Sequence, residues 1–318
     1  MNNLPTYSDI ESAHKRIYNI IQRTPVMFSR GINKITGASV FFKCENFQRV
    51  GAFKYRGATN AVQLLSDEEI QKGVVTHSSG NHAQALALAA KIRKAKAYIV
   101  MPNTAPKIKV EAVKSYGGDV IFCEPTLKAR EKTAKDIIEQ TGAILIHPYD
   151  NSNVIAGQGT AAKELFEELG AIDIIIAPIG GGGLMSGTAI ATKFISSQTM
   201  IIGSEPKNAD DAFRSFYSGY LIPSDNPKTI ADGLLTSLSQ KTFSIIKQNV
   251  TRILTASEES IIAAMKLILT RMKIIVEPSA AVPLATMLEN PDIFLGKTVG
   301  IILSGGNLDL DNLHFYNL

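Results

Sequence analysis

The sequence predicts an α/β protein of two lobes, each built on a twisted, mostly parallel sheet flanked by helices. Three observations predict it. Short β-branched apolar runs recur along the chain, helix-period segments separate them, and the runs fall into two sets, one from about 74 to 147 and one from about 173 to 304. Continuous apolar strands of this kind are buried on both faces, as parallel sheets covered by helical crossovers require.

In chain order the strand candidates are VFFK at 40–43, VVTH at 74–77, AYIVM at 97–101, DVIFC at 119–123 and AILIH at 143–147. DIIIAP at 173–178, MIIGSE at 200–205 and TVGIILS at 298–304 complete the series. Between the second and third lies the Ala/Leu-rich segment at 83–92, which reads as a buried helix and makes the surrounding stretch a βαβ unit. No repeat of 20–50 residues and no low-complexity tract interrupts the pattern, which excludes solenoids and propellers. No Pro/Gly/Ser-rich linker marks a domain border, so a cleft between the two strand sets is the expected ligand site.

Composition narrows the function classes. The 318 residues are 45% hydrophobic and 19% charged, enough for two substantial cores. The net charge of +4 is spread without a Lys/Arg stripe, so a nucleic-acid partner is not expected. No apolar run approaches the ~18 residues of a membrane span, and the polar start lacks a signal-peptide pattern, which together predict a cytoplasmic protein with no membrane partner. Cys44 and Cys123 sit far apart in apolar contexts and read as buried free thiols rather than a disulfide or zinc site.

Open α/β sheets bind ligands beyond the carboxyl ends of their strands, and three strand ends carry suitable residues. After VVTH comes Ser78-Ser79-Gly80-Asn81-His82, a turn whose free N–H groups and hydroxyls either receive an anion or cap the helix that follows. After DIIIAPI come Gly180, Gly181, Gly182 and Gly183, which strip every side chain from the approach and let backbone amides wrap a phosphate. The segment fails the dinucleotide pattern and lacks a P-loop lysine, so a phosphate monoester suits it. After TVGIIL, Ser304 stands beside two glycines, either as a turn or as a hydroxyl facing a flat ligand. With Lys54 enclosed by apolar and small residues in GAFKYRGA, these features suggest a phosphorylated aldehyde cofactor held as a Schiff base.

Seven stretches then carry a resemblance: GAFKYRGA at 51–58, THSSGNHAQALA from Thr76, IAGQGT at 155–160, PIGGGGLMSG from Pro178, TIADG at 229–233, EPSAA at 277–281 and LSGGN at 303–307. In this order, over essentially the whole chain, they resemble the pyridoxal-phosphate enzymes of fold type II, the threonine/serine dehydratase and serine racemase family, whose architecture is tryptophan synthase beta-like. The resemblance implies a large cofactor-binding domain of residues 1–50 and 149–318 and a small mobile domain of residues 51–148. It implies pyridoxal 5'-phosphate bound covalently at Lys54, with Phe53 against its ring, Asn81 at its phenolic oxygen and Ser304 at its ring nitrogen. Gly180 to Gly183 and the Leu184 amide would hold the phosphate, and Gly233 would line the ring. Ser78, Ser79, Asn81 and His82 would grip the substrate carboxylate, with Arg130 contributing from the smaller lobe.

The chemistry the resemblance implies is β-elimination from a small hydroxy amino acid, L-serine or L-threonine, giving pyruvate or 2-oxobutyrate and ammonia, in the racemase-like, cation-responsive branch of the family. Lys54 removes the Cα proton, and loss of the hydroxyl leads to a 2-oxo acid and ammonia. A serine at the ring nitrogen does not protonate the ring, which favours elimination over transamination. Ser79 matches the serine that exchanges a proton on the opposite face in racemases, so racemisation stands as the alternative or a second activity. Dehydration of threo-3-hydroxyaspartate is a third possibility.

A second constellation follows MIIGS: Glu205-Pro-Lys-Asn-Ala-Asp-Asp211. By spacing alone it is either a solvated acidic turn or a set of hard oxygen ligands for Mg²⁺ or Ca²⁺. Glu205 also follows the glycine run at the distance of a ribose-binding acid, a reading the failed dinucleotide pattern undercuts. The resemblance makes Glu205, the Ala209 carbonyl and Asp211 the cation ligands, with Lys207 weakening the site if it points inward. It also implies a homodimer and leaves a nucleotide effector open. The sequence stops soon after Asn307, so the regulatory domain of biosynthetic threonine dehydratases is not expected. A non-catalytic binder of pyridoxal phosphate or another small ligand is the reading from a different class, and it requires Lys54 to be idle.

Overall fold

A computed structural model describes residues 4–309, and the first three residues of the polar start lie outside them. Two sheets organise the chain. The larger has the order β1-β2-β10-β7-β8-β9, formed by Val26–Phe28 (β1), Ser39–Cys44 (β2), Ile174–Pro178 (β7), Met200–Pro206 (β8), Arg252–Ala256 (β9) and Thr298–Leu303 (β10). All its pairings are parallel except β1 with β2. The smaller, wholly parallel sheet has the order β5-β4-β3-β6, from Val74–His77 (β3), Ala97–Pro102 (β4), Asp119–Cys123 (β5) and Ile144–Leu145 (β6).

Most runs that read as continuous and apolar are buried strands, but DVIFC is not: β5 lies at the edge of the smaller sheet and has no buried position. All of β7 is buried, as is β10 except for Thr298. Two strands escape that criterion. β1 has no fully buried position, and β9 mixes exposed, intermediate and buried residues at the sheet edge, so neither presents an unbroken apolar run. The AILIH run shrinks to the two residues of β6. VFFK belongs to β2 and pairs with β10, more than 250 residues further on by sequence, so the larger sheet closes over the smaller one in chain order. Both cysteines are free; Cys44 is buried, whereas Cys123 at the end of edge strand β5 is only partly covered. Among the described residues no helix is long and apolar enough to cross a membrane.

Three helices set the position of Lys54. Helix Lys54–Gln63 and helix Gly183–Ile195 both pack on the long helix Ser152–Leu169. The contacts are backbone to backbone. A Cβ at Gly157 would lie 2.6 Å from the Gly57 Cα, and one at Gly187 would lie 2.5 Å from the Gly159 nitrogen. Glycine at these places removes the side chains that would hold the helices apart. The IAGQGT stretch is thus the seam joining the lysine-bearing helix to the helix opened by the glycine run.

A buried charge network pins the same helix. Two residues after Lys54, the Arg56 guanidinium donates to Glu45 from Nε at 2.7 Å and to Glu164 from Nη2 at 2.7 Å. Lys43 donates to Glu164 at 2.7 Å and to the Thr24 carbonyl at 2.6 Å. All four charged side chains are within 1% of full burial, two cations facing two carboxylates. Charges this deep are tolerated only because each is paired and hydrogen-bonded. Burial raises the Glu164 pKa, but Arg56 and Lys43 prevail and hold it at about 2.

Glu164→Gln should lower the unfolding free energy by about 3–5 kcal/mol, because Arg56 and Lys43 lose an anion they cannot replace; urea titration measures it. The folded pKa of Glu164 lies below its ordinary value of 4.5, so its contribution is complete above that value and is lost as pH falls through about 2. The substitution should therefore flatten the acid limb of the stability curve over that interval.

Candidate active site

A cleft of about 530 Å³ opens where strands of both sheets end. β3 delivers the turn Ser78 to Asn81, β7 the glycines, β10 Ser304, and β6 leads to Pro148 and Tyr149. Arg130 enters from helix Leu127–Thr141 after β5. Convergence of strand ends at one crevice is the expected ligand position in open α/β sheets.

Lys54 starts its helix at the wall of this cleft, and its Nζ donates to the Pro148 carbonyl at 2.9 Å. Enclosure of the amine lowers its pKa to about 8, with Glu277 opposing the shift. Burial disfavours the ammonium form, so a larger fraction of this lysine is neutral near pH 8 than of an ordinary lysine. The Phe53 ring centroid lies 5.2 Å from Nζ. The Phe53 N–H donates to the Ser304 carbonyl at 3.0 Å, tying the segment before the lysine to the end of β10.

The glycine run is bare because its surroundings demand it. Gly182 has φ +83°, in the left-handed region, and caps helix Gly183–Ile195. A Cβ on Gly181 would collide with the Tyr149 ring. Gly180 lies against the Gly233 carbonyl, and the Gly233 N–H donates to Ser279 Oγ at 3.0 Å. Leu184 follows in the first turn, so its backbone N–H belongs to the donors at a helix start.

Ser304 Oγ is buried, lines the cleft and has no hydrogen-bond partner among the described residues. A buried hydroxyl without a partner costs free energy, and a ligand acceptor would relieve it. Together with the enclosed amine and the amide-lined glycine turn, this orphaned hydroxyl fits a phosphorylated pyridine aldehyde.

Two residues expected to face the ligand are engaged elsewhere. His82 is 2% exposed, its Nε2 lies 3.0 Å from the Ile146 carbonyl, and burial drops its pKa to about 3. The neutral ring donates to that carbonyl, so His82 offers the cleft its main chain at the helix start. Asn81 places its Nδ2 3.0 Å from each oxygen of Glu277 and accepts from Asn307 Nδ2 at 2.8 Å. Its amide donors are directed at Glu277, where sequence reading had them facing a cofactor oxygen. Ser78 and Ser79 line the cleft and are partly exposed to it.

Arg130, expected from the smaller lobe, is joined at the site by four residues that sequence reading did not single out: His77, His147, Tyr149 and Glu277. Arg130 has a buried Nε without a partner and makes no ion pair among the described residues, while His77 lies close enough for that positive charge to lower its pKa after burial has done so. His147 stacks edge-on against His77 and Tyr149, and its Nδ1 accepts from the Asp150 N–H at 2.9 Å. Burial lowers its pKa to about 4, leaving a neutral ring that props Tyr149 over the glycines. Glu277, within the EPSAA stretch, is buried, and burial raises its pKa to about 7. His147 ends the AILIH run and Tyr149 follows it, so both were open to the strand-end criterion; Glu277 gives no local signal.

Away from the cleft, Glu205 and Asp211 are both buried to within 1%. Glu205 accepts from the N–H groups of Ala212 at 3.2 Å and Phe213 at 2.7 Å, capping helix Asp211–Ser218. Among the described residues neither oxygen of Asp211 meets a donor in good hydrogen-bond geometry, although the backbone N–H groups of Asp211 and Leu238 lie near enough to oppose the rise in its pKa. Burial raises both carboxyls, Asp211 to about 6 and Glu205, with Asp211 adding to it, well above the ordinary range. Ala209 is buried between them in sequence, and Lys207 is exposed, so the lysine does not enter the site. Among the described residues no group of three or more acidic, histidine or cysteine side chains is placed to hold a metal.

Comparison with known proteins agrees with this geometry. The family described as pyridoxal-phosphate dependent enzyme matches residues 17–305. A beta-hydroxyaspartate dehydratase of Paracoccus denitrificans is 52% identical over 98% of this chain and 98% of its own length. A serine racemase of Dictyostelium discoideum is 50% identical over 97% of this chain and 96% of its own. The solved structure of maize serine racemase superposes with a TM-score of 0.96 at 45% identity, covering 98% of this chain and 96% of that one. With a family match that spans both sheets and relatives aligned nearly end to end, the chain belongs to the pyridoxal-phosphate dependent enzymes.

Proposed function

We propose that the protein is an ammonia-lyase that removes the β-hydroxyl of a small hydroxy amino acid, converting L-serine, L-threonine or 3-hydroxyaspartate to a 2-oxo acid and ammonia. The observation that carries this reading is the enclosed Lys54 amine with its pKa lowered to about 8, set at the wall of a cleft with anion-binding turns. Lys54 would be the attachment point of pyridoxal phosphate, Gly180 to Gly183 with the Leu184 amide would hold its phosphate, and Phe53, Gly233 and Ser304 would border its ring. When bound, the cofactor supplies the electron sink that makes the substrate Cα–H acidic.

The chain's own residues do the rest. The Ser78–Asn81 turn, at the start of helix Asn81–Ile92, receives the substrate carboxylate with its hydroxyls and backbone N–H groups. The neutral Lys54 amine accepts the Cα proton at Nζ. Tyr149 and the neutral His147 cover the glycine turn and keep water from that side. The part around the smaller sheet, residues 51–148, closes on the bound substrate. Glu205, Asp211 and the Ala209 carbonyl hold Mg²⁺ or Ca²⁺, a reading supported by two carboxyl groups buried close enough for the charge of one to raise the pKa of the other.

One observation favours 3-hydroxyaspartate among the substrates: Arg130 carries a charge into the cleft with a buried, unpartnered Nε. A second carboxylate on the substrate would satisfy it. Racemisation stands as a second activity, supported by Ser79 lining the cleft and by the 50% identity to a serine racemase.

Three outcomes are expected. The holoenzyme absorbs visible light through its lysine-bound cofactor; Lys54→Ala loses that band and at least about 10²–10⁴-fold in turnover, whereas a retained band places the cofactor elsewhere. Arg130→Ala raises KM for 3-hydroxyaspartate by about tenfold or more, the worth of a charge-assisted hydrogen bond, while KM for L-serine changes less. Chelation lowers both activity and the thermal midpoint of the native protein, and Glu205→Gln makes it indifferent to chelator; a native protein already indifferent has no cation at this place.

A further inference from the structure

Asn307 sits at a junction. Its Nδ2 donates to the Val50 carbonyl at 2.7 Å and to Asn81 Oδ1 at 2.8 Å, which commits both of its amide hydrogens. Asn81 in turn points Nδ2 at both oxygens of Glu277. Glu277 caps helix Pro278–Glu289, and its N–H donates to the Gly305 carbonyl at 3.1 Å. The Gly306 N–H donates to the Gly51 carbonyl at 2.9 Å, so the same turn grips the backbone three residues before Lys54.

The glycines on either side make room for these two side chains. Gly51 has φ +70°, and a Cβ there would lie 2.5 Å from Asn307 Oδ1. A Cβ on Gly305 would lie 2.7 Å from Glu277 Oε1. Gly51 of GAFK and Gly305 of SGGN are therefore bare where the carboxamide and the carboxyl fit. Val50, with φ 56°, holds a strained left-handed conformation that the Asn307 bond to its carbonyl helps to fix.

We propose that Asn307 and Glu277 are positioning residues that fix the orientation of the Asn81 amide and tie the carboxylate-binding turn to the lysine-bearing segment. The proposal rests on the reading of the Ser78–Asn81 turn as the place of the substrate carboxylate. The logic is polarity matching. Asn307 offers only N–H to Asn81, and ionised Glu277 offers only acceptors, so one orientation of the Asn81 amide satisfies both and the flipped one satisfies neither. A protonated Glu277 gains an O–H donor and surrenders part of that discrimination.

The charges facing Glu277 decide when this happens. Burial raises its pKa to about 7; Asn81 opposes, Asp232 adds, and Lys109 and the Asn307 N–H oppose. The Lys54 amine is also within its field. The ionised, orienting form therefore prevails above neutrality and is lost as pH falls.

The test uses the ¹⁵N-labelled holoenzyme and L-serine. The Asn81 side-chain amide, assigned by its disappearance in Asn81→Asp, should shift with a midpoint near pH 7, and Glu277→Gln should abolish that titration. Both Glu277→Gln and Asn307→Ala should raise KM about tenfold with a smaller fall in kcat, and Glu277→Gln should flatten the acid limb of kcat/KM. The proposal is overturned if the Asn81 amide does not respond to pH in the unmodified protein, a measurement that stands even where the variants fail to fold. It is equally overturned if the variants lower only the unfolding midpoint while KM and its pH profile stay within twofold. Absence of turnover in the unmodified protein would remove the functional reading alone, since the amide titration is read without substrate.

Discussion

Everything at this site depends on keeping one lysine amine out of water at a fixed point. A solvated lysine swings on four methylenes and stays protonated; Lys54 does neither, because its helix cannot move. Arg56, two residues on, is locked by two carboxylates at 2.7 Å, and the next glycine lets the long helix Ser152–Leu169 touch backbone to backbone. The charge network is costly to bury, and a well-packed apolar substitute of the same shape could match its stability. What apolar packing lacks is direction: an Arg fork bonded to Glu45 and Glu164 sets the rotation of the helix as well as its distance.

Polar groups in the cleft divide by whether the chain satisfies them. His82, His147 and Asn81 spend their side chains on protein partners, and the neutral state of both histidines follows from burial. Ser304 Oγ and Arg130 Nε are buried in the wall and have no partner among the described residues. A folded chain tolerates such orphans where a ligand completes them. The first group therefore builds the frame, and the second marks where recognition takes place.

The sequence was most readable where chemistry and backbone coincide. Four glycines at a strand-to-helix junction need no partner to be informative, and the hydroxyl-rich turn after VVTH declared itself by position, as did the alternation of strands and helices. Legibility ended where a side chain's role is set by a distant residue. Glu277 meets Asn81 from 196 positions away and Asn307 meets Val50 from 257, separations over which no spacing rule operates. That is why sequence reading set the Asn81 amide against a cofactor oxygen and a substrate carboxylate, and gave Glu277 no task. β1 and β9 were missed for a different reason: at sheet edges burial is incomplete, and the apolar pattern that announces a strand is diluted.

The acidic pair at Glu205 and Asp211 extends the same logic to a place outside the cleft. Glu205 is the penultimate residue of β8, which lies between β7 and β9, and Ser204 is in register with Pro178, two residues before the glycine run. Two buried carboxyls beside each other are stable only if one holds a proton or a cation lies between them. A proton would leave β8 tied to helix Asp211–Ser218 by hydrogen bonds to Glu205 alone. A divalent ion held there would add Asp211 to the same anchor and brace β8, the strand whose ladder supports β7 and the glycine run that follows it.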